Sequence, residues 1–434
     1  MVTVTVKKTS KLQGQICAPA SKSYTQRMLI AAALSDGTGK VSNPLFSEDT
    51  QATFRAITAL GATVHTTEDC WTVQGASPLK AASDLIDVGE SGATLRFMIP
   101  IAALAEGRSA FLLSSGLERR PIEPLLNSIK QLGGNAYPKK IGDLPVIVVE
   151  GNGIEGGKTV IPGDVSSQFI SGLMFACPMA KVDTEITVTT PLESKDYVKM
   201  TQEVLAQHKI KIDISSDFKR IRIPSKQTYK QTDSKVPGDF SSAAFLLAAT
   251  AITDSNVKIN NLSYETAQGD KAILGILKQM GAEGKVCEDS VEIQGTDNPL
   301  KAVDIDAKNI PDLVPICATL ACYADGTTKI YNASRLRFKE SDRLASVNAE
   351  LTKMGAEILM DESSLTIKGP CKLHGATINS HNDHRIAMAC TVAALGAEGE
   401  TLVENAECVR KSYPLFYTDL SSIGAEIIGG KLVR

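Results

Sequence analysis

Apolar and polar positions repeat along this chain with a long period. Six stretches open on a polar turn and run into a segment of apolar and small residues: Ser21-Lys22-Ser23, Ser91-Gly92-Ala93, Ser166-Ser167-Gln168, Ser241-Ser242-Ala243, Asp312-Leu313-Val314 and Asp383-His384-Arg385. Their starts lie 70, 75, 75, 71 and 71 residues apart, and six such units fill the chain, the mark of a repeat architecture. Each apolar run predicts a helix. A short β-like segment follows, such as Glu185-Ile186-Thr187-Val188 or Thr328-Lys329-Ile330. A second helix comes next and in most copies ends at a glycine behind a large apolar residue: Leu60-Gly61, Leu132-Gly133, Met280-Gly281, Met354-Gly355 and Ile423-Gly424. Glycine there supplies the left-handed residue that stops a helix. The alternating stretches 282–295 and 356–369 then read as hairpins of matching length.

Units of this size that mix helix and strand are too thick for solenoid layers, so they are expected to pack three by three into two globular domains. Pro19, within 17–20, and Pro237, within 234–238, mark two crossovers. The central domain then spans 20–236, and the second combines 1–19 with 237–434. The opening Val2-Thr3-Val4-Thr5-Val6 alternates like a strand and belongs with the C-terminal repeats.

With 43% hydrophobic and 22% charged residues, the chain has the makings of folded cores rather than of a disordered segment. Its 46 basic residues nearly balance 49 acidic ones, so no global field draws it to nucleic acid or anionic lipid, and anion binding must come from local clusters. The nine cysteines are scattered, with no Cys-x-x-Cys pair, which predicts free thiols in a reducing cytoplasm. The start lacks the basic-then-apolar order of a signal peptide. The longest charge-free stretch, 165–180, is too short to span a membrane.

The candidate chemistry gathers at helix starts, where unpaired backbone N–H groups and the helix dipole favour anions. The first helices are expected to begin with Lys22/Ser23/Arg27, Gly92/Arg96, Ser166/Ser167/Gln168, Asp312 and His384/Arg385. The second are expected to begin with Arg119/Arg120, Ser194/Tyr197, Lys339/Glu340/Arg343 and Lys411. Each has a plainer reading: Ser166 as a helix cap, Arg119-Arg120-Pro121 as a helix lead-in, Lys339 and Arg343 as one solvated face at i,i+4. What those readings leave unexplained is that nearly every repeat is equipped at the same end. Repeats put equivalent ends on equivalent edges, so the starts are expected to converge on a cleft that takes a substrate with several anionic groups.

His381 and His384 lack a third soft ligand at metal spacing, so no metal is expected. No phosphate loop, dinucleotide fingerprint or nucleophile elbow occurs. A ring that encircles nucleic acid would set basic residues along helix faces rather than starts. Acid–base chemistry by Lys, Glu and Asp on a polyanionic small molecule remains.

Seven segments together resemble the signature of the 5-enolpyruvylshikimate-3-phosphate (EPSP) synthase family: 19–27, 89–96, 119–122, 162–168, 310–312, Lys339-Glu340-Ser341-Asp342-Arg343 and Asp383-His384-Arg385-Ile386-Ala387-Met388. The resemblance implies an α/β enolpyruvyl transferase fold, an inside-out α/β barrel of two domains, each of three βαβαββ repeats. It implies transfer of the enolpyruvyl group of phosphoenolpyruvate to the 5-hydroxyl of 3-phosphoshikimate, with no cofactor and no metal. The partners implied are small molecules, with neither nucleic acid nor membrane, and the enzyme is expected to be a cytoplasmic monomer. Carried over, Lys22, Ser23, Arg27, Ser166, Ser167, Gln168, Ser194, Tyr197, Asp312 and Lys339 would hold 3-phosphoshikimate. Lys22, Gly92, Arg120, Gln168, Arg343, Arg385 and Lys411 would hold phosphoenolpyruvate. Asp312 would be the base, Glu340 the proton donor, and Lys22 an aid to both.

The nearest alternative is the sister transferase that acts on UDP-N-acetylglucosamine, which typically has Asn after the lysine and a loop cysteine. Here Ser23 follows Lys22, and 114–122 has no Cys. Two places depart from the EPSP synthase pattern: Glu90 stands where many members have Asn, and 332–335, with Asn332 and Arg335, does not align with the family's Asn contact, so no ligand role is given there.

Overall fold

The structure is a computed structural model that describes residues 2–295 and 299–429. The chain divides into two compact units: Ala20–Val236, and residues up to Pro19 together with those from Pro237 onward. Among the described residues, each unit carries three main sheets built to one plan. In Leu85–Asp87, Gly107–Leu112, Leu144–Gly151 and Asn135–Ile141, the first two strands are parallel and the rest antiparallel. The other five main sheets repeat that order. The fold is therefore α/β with six βαβαββ repeats, as the periodicity predicts.

The helix that crosses between the parallel strands is wrapped on all sides. All twelve residues of Phe240–Ala251 and all nine of Val314–Cys322 are buried. Enclosure explains why these runs hold alanine and other small residues with no polar stripe: a helix without a solvent face shows no amphipathic period. The second helices, such as Glu48–Ala59 and Arg343–Lys353, bury one face only. They end where expected, at positive-φ glycines such as Gly61 (+105°) and Gly355 (+98°).

The strands exchange at the two crossovers. Gln13–Cys17 precedes helix Lys22–Ala33 in sequence, yet it pairs in parallel with Asn256–Asn260 of its own unit. Conversely, Ser234–Lys235 precedes Phe240–Ala251 and pairs with Thr38–Ser42. Each passage of the chain between units thus falls directly after a strand.

Several second-helix starts differ from expectation. Arg120 lies in a turn between helices Ser115–Glu118 and Glu123–Gln131, because Pro121 and Ile122 interrupt the run. Lys339 and Glu340 precede their helix, which Asp342 caps and Arg343 begins, so Lys339 and Arg343 do not share a helix face. Lys411 ends a 3-10 turn, Ala406–Lys411, instead of starting a helix.

Candidate active site

In the Ala20–Val236 unit, three of the enclosed helices begin with functional side chains and are stitched together. Lys22 opens helix Lys22–Ala33, capped by Ser21, and its Nζ donates to Asp49 Oδ2 at 2.9 Å. From the next turn, Gln26 Nε2 donates to Ser91 (3.2 Å) and Thr94 (3.1 Å) of the neighbouring helix start. Arg27 is 2% exposed. Its Nε donates to Thr201 Oγ1 at 2.8 Å, Nη1 to the Ser23 carbonyl at 3.0 Å and Nη2 to the Tyr197 carbonyl at 3.2 Å. The guanidinium also stacks over Phe97 and Tyr197. Burial pulls its pKa down to about 10. Arg27 thereby gathers Ser23 and Tyr197, while Ser194, left-handed at φ +52°, directly precedes the helix that carries Tyr197.

A second group forms around Gly92. An added Cβ there would lie 3.0 Å from Arg120 Nη1, so the glycine lets this guanidinium approach the start of helix Gly92–Ala102. Arg120 Nε and Nη2 are buried and have no hydrogen-bond partner among the described residues. Buried donors are almost always satisfied, so this guanidinium is suited to an anionic acceptor. Ser166 caps Ser167–Ala176, and Gln168 Oε1 accepts from Arg96 Nη1 at 2.8 Å. Arg96 also donates to the Pro121 carbonyl at 3.2 Å and stacks on Phe169. It thus fixes both Gln168 and the Arg120 turn, a positioning role that the sequence reading did not give it. Glu90 packs over the short helix at Gly116, where a Cβ would meet its carboxylate.

In the other unit, Asp312, Lys339, Glu340, Arg343 and Arg385 form one cluster. Arg343, 1% exposed, reaches three carboxylates: Asp312 Oδ1 at 2.7 Å, Glu340 Oε2 at 2.6 Å and Asp383 Oδ2 at 2.8 Å. Arg385 Nη2 donates to Asp312 Oδ2 at 3.2 Å, and Lys339 Nζ stands 3.8 Å from Asp312 Oδ1. Asp383 also caps helix His384–Gly396 through the Arg385 amide at 3.0 Å. Lys411, 4% exposed, donates to the Asn382 carbonyl at 2.6 Å.

Burial alone would raise the Asp312 pKa, but Arg385, Lys339 and Arg343 outweigh it and hold the carboxyl well below its usual range. Burial pushes the Lys339 ammonium down to about 8 despite Asp312 beside it. Asp270, buried and accepting from the Ser241 hydroxyl, is pushed up to about 7 by burial and then by the Asp312 charge. Sequence reasoning missed Asp270, which no motif or spacing connects to Asp312. Asn332, left-handed at φ +58°, donates to Asp306 Oδ1 at 2.9 Å, and Arg335 donates to the Lys308 carbonyl at 3.0 Å. Both brace turns.

The architecture is that of the enolpyruvyl transferases. An enolpyruvyl transferase from Streptomyces tendae matches it with a TM-score of 0.80 at 19% identity, over 98% of both chains. The EPSP synthase of Acinetobacter baumannii matches with a TM-score of 0.83 at 25% identity, over 99% of both. The family described as EPSP synthase (3-phosphoshikimate 1-carboxyvinyltransferase) matches residues 6–420. Two proteins named 3-phosphoshikimate 1-carboxyvinyltransferase are similar almost end to end. That of Methanocaldococcus jannaschii is 43% identical over 98% of this chain and 99% of its own. That of Methanocella arvoryzae is 42% identical over 96% and 98%. This chain belongs to the EPSP synthase family.

Proposed function

We propose that this enzyme transfers the enolpyruvyl group of phosphoenolpyruvate to the 5-hydroxyl of 3-phosphoshikimate, releasing phosphate, with its residues dividing the work as follows. Ser23, Arg27, Ser166, Ser167, Gln168, Ser194 and Tyr197 hold 3-phosphoshikimate together with Asp312 and Lys339. Lys22, Gly92, Arg120, Gln168, Arg343, Arg385 and Lys411 hold phosphoenolpyruvate. Asp312 takes the proton of the 5-hydroxyl as its oxygen attacks the enolpyruvyl carbon. Glu340 gives a proton to the methylene carbon and takes one back when phosphate leaves, with Lys22 stabilising the charge that develops.

The observation that carries this reading is Asp312 itself: a half-buried carboxylate held ionised by three cations, beside a second carboxylate, Glu340, on the same Arg343. A carboxylate so stabilised is a weak base. Phosphate and carboxylate groups of the substrates that engage Arg343, Arg385 and Lys339 weaken that hold and raise the basicity of Asp312 when the hydroxyl is in place. The sister activity on UDP-N-acetylglucosamine is not favoured, since the full-length relatives carry the other name.

We read the enzyme as a monomer. We read it as cytoplasmic, which suits nine free cysteines. Among the described residues, no helix is long and apolar enough to cross a membrane. The test of function is phosphate release. It is expected with phosphoenolpyruvate and 3-phosphoshikimate together and with neither alone, and release from phosphoenolpyruvate alone would overturn the reading.

A pH signature follows from Lys339. Its folded-state pKa is about 8, so the side chain is charged below that pH and neutral above it, and anion affinity needs the charge. The KM for 3-phosphoshikimate should therefore climb above about pH 8, by at most about tenfold per pH unit for one proton. In Lys339→Gln the value should be higher throughout and this limb flat. Steady-state kinetics across pH 6.5–9.5 check it, and a limb that persists in the variant would assign it to another group.

A further inference from the structure

Helix Arg343–Lys353 begins at the arginine that gathers three carboxylates, and two turns later it bears a carboxylate that no step above uses. Glu350 is 1% exposed. Its Oε1 lies 2.8 Å from His381 Nε2 and 2.9 Å from Lys353 Nζ; its Oε2 accepts from Lys353 Nζ at 2.7 Å and from the Asn379 amide at 3.0 Å. A carboxylate is costly to bury unless its partners are well placed, and two of these partners belong to one tight turn, residues 379–383.

That turn is tight. His381 and Asn382 are both left-handed, at φ +53° and +54°, a conformation that His and Asn adopt more readily than most side chains but that still needs ties to hold two such residues in a row. The ties are visible: the His381 amide donates to Asn379 Oδ1 at 2.8 Å, the Asn382 amide to Ser380 Oγ at 3.2 Å, and the Asp383 amide to the Ser380 carbonyl at 2.9 Å. The turn delivers two groups to the cluster. The Asn382 carbonyl receives Lys411 Nζ at 2.6 Å, and the Asp383 carboxylate receives Arg343.

We infer that Glu350 is a positioning residue for Lys411: by clamping the His381 ring and the Asn379 amide it fixes the turn whose Asn382 carbonyl sets where the Lys411 ammonium stands. The inference rests on the reading above in which Lys411 holds phosphoenolpyruvate. A lysine stem is long and flexible, so without a fixed carbonyl its ammonium is spread over several positions. Misplacing a substrate-holding group by about 1 Å costs on the order of 10²-fold when it is directly engaged, and less when an indirect support is loosened.

The test is a double-mutant cycle on the full-length enzyme. Glu350→Gln keeps the size of the side chain and removes its charge. It should raise the KM for phosphoenolpyruvate about tenfold, leaving the calorimetric Kd of 3-phosphoshikimate unchanged. Lys411→Ala should raise the same KM further, and adding Glu350→Gln to it should change the KM far less than in the parent, because the main residue through which Glu350 acts is gone. Effects that multiply in the double variant would overturn the inference, since a merely structural role is indifferent to Lys411. An unchanged KM in Lys411→Ala would instead overturn the placement of Lys411 itself, and the inference with it. Should Glu350→Gln fail to fold, His381→Asn serves. Asparagine tolerates the left-handed backbone and is too short to reach Glu350. It should shift the KM for phosphoenolpyruvate in the same direction, again not beyond Lys411→Ala, and no shift would refute the clamp.

Discussion

Asp312→Asn is expected to lower kcat roughly 10²–10⁴-fold while 3-phosphoshikimate still binds. Asparagine matches the size of the carboxylate and can still accept from Arg385 or Arg343, so the local frame should survive. What it cannot do is take a proton from an attacking hydroxyl. The loss should therefore appear in kcat and kcat/KM alike, the pattern of an interaction made only in the transition state. Steady-state kinetics and calorimetric titration with 3-phosphoshikimate check the two halves of the statement, and a variant with near-normal kcat would remove Asp312 from the role of base.

The second large effect is on stability. Arg343→Met keeps the length of the buried stem but leaves Asp312, Glu340 and Asp383 facing one another without the cation that joins them. Removing one partner of a buried ionic cluster typically costs about 3–5 kcal/mol, which for a unit of this size is a fall in Tm on the order of 10 °C. The pH dependence has a definite sign. In the parent the Asp312 pKa is depressed, so its contribution is full above the unfolded pKa and is lost as pH falls through the lower folded value. In Arg343→Met the carboxylates bind protons more readily, and acid relieves their repulsion. The gap in Tm between parent and variant should thus narrow from pH 7 to pH 4.5 in calorimetric scans. A gap that widened would mean that Arg343 is not what offsets these charges.

The repeats were legible in the sequence because they rest on local rules. An enclosed helix between parallel strands demands small apolar residues all round, and a chain that must stop a helix five times places five glycines at one phase. The helix caps Ser21, Ser91, Ser166 and Asp383 obey the same local logic. What failed was the reading of charged residues by spacing. Lys339 and Arg343 stand four apart, yet the helix begins only at Arg343, behind its cap Asp342, so one is half-exposed and extended while the other is buried at the first turn. Arg120 looked like a helix start because Pro121 follows it, but here the proline breaks a run of two helices. Asp270 and Glu350, and the positioning role of Arg96, were silent for a deeper reason. Each acts on residues far along the chain: Asp312 is 42 positions from Asp270, Gln168 is 72 from Arg96, and Asn379 and His381 are 29 and 31 from Glu350. Only tertiary packing brings such partners together.

The exchange of strands at the crossovers also orders events during synthesis. Val4–Lys7 is made well before its neighbours in the sheet, Glu400–Glu404 and Ile427–Ile428. At 5–20 residues per second the opening strand waits roughly 20–80 s for a partner. Meanwhile the intervening unit receives its own closing strand, Ser234–Lys235, well before that partner is made. A nascent chain therefore carries an unmatched β-segment while everything up to Glu400 is made. The alternation of valine with threonine in 2–6, rather than a run of large apolar residues, keeps that waiting edge soluble on one face.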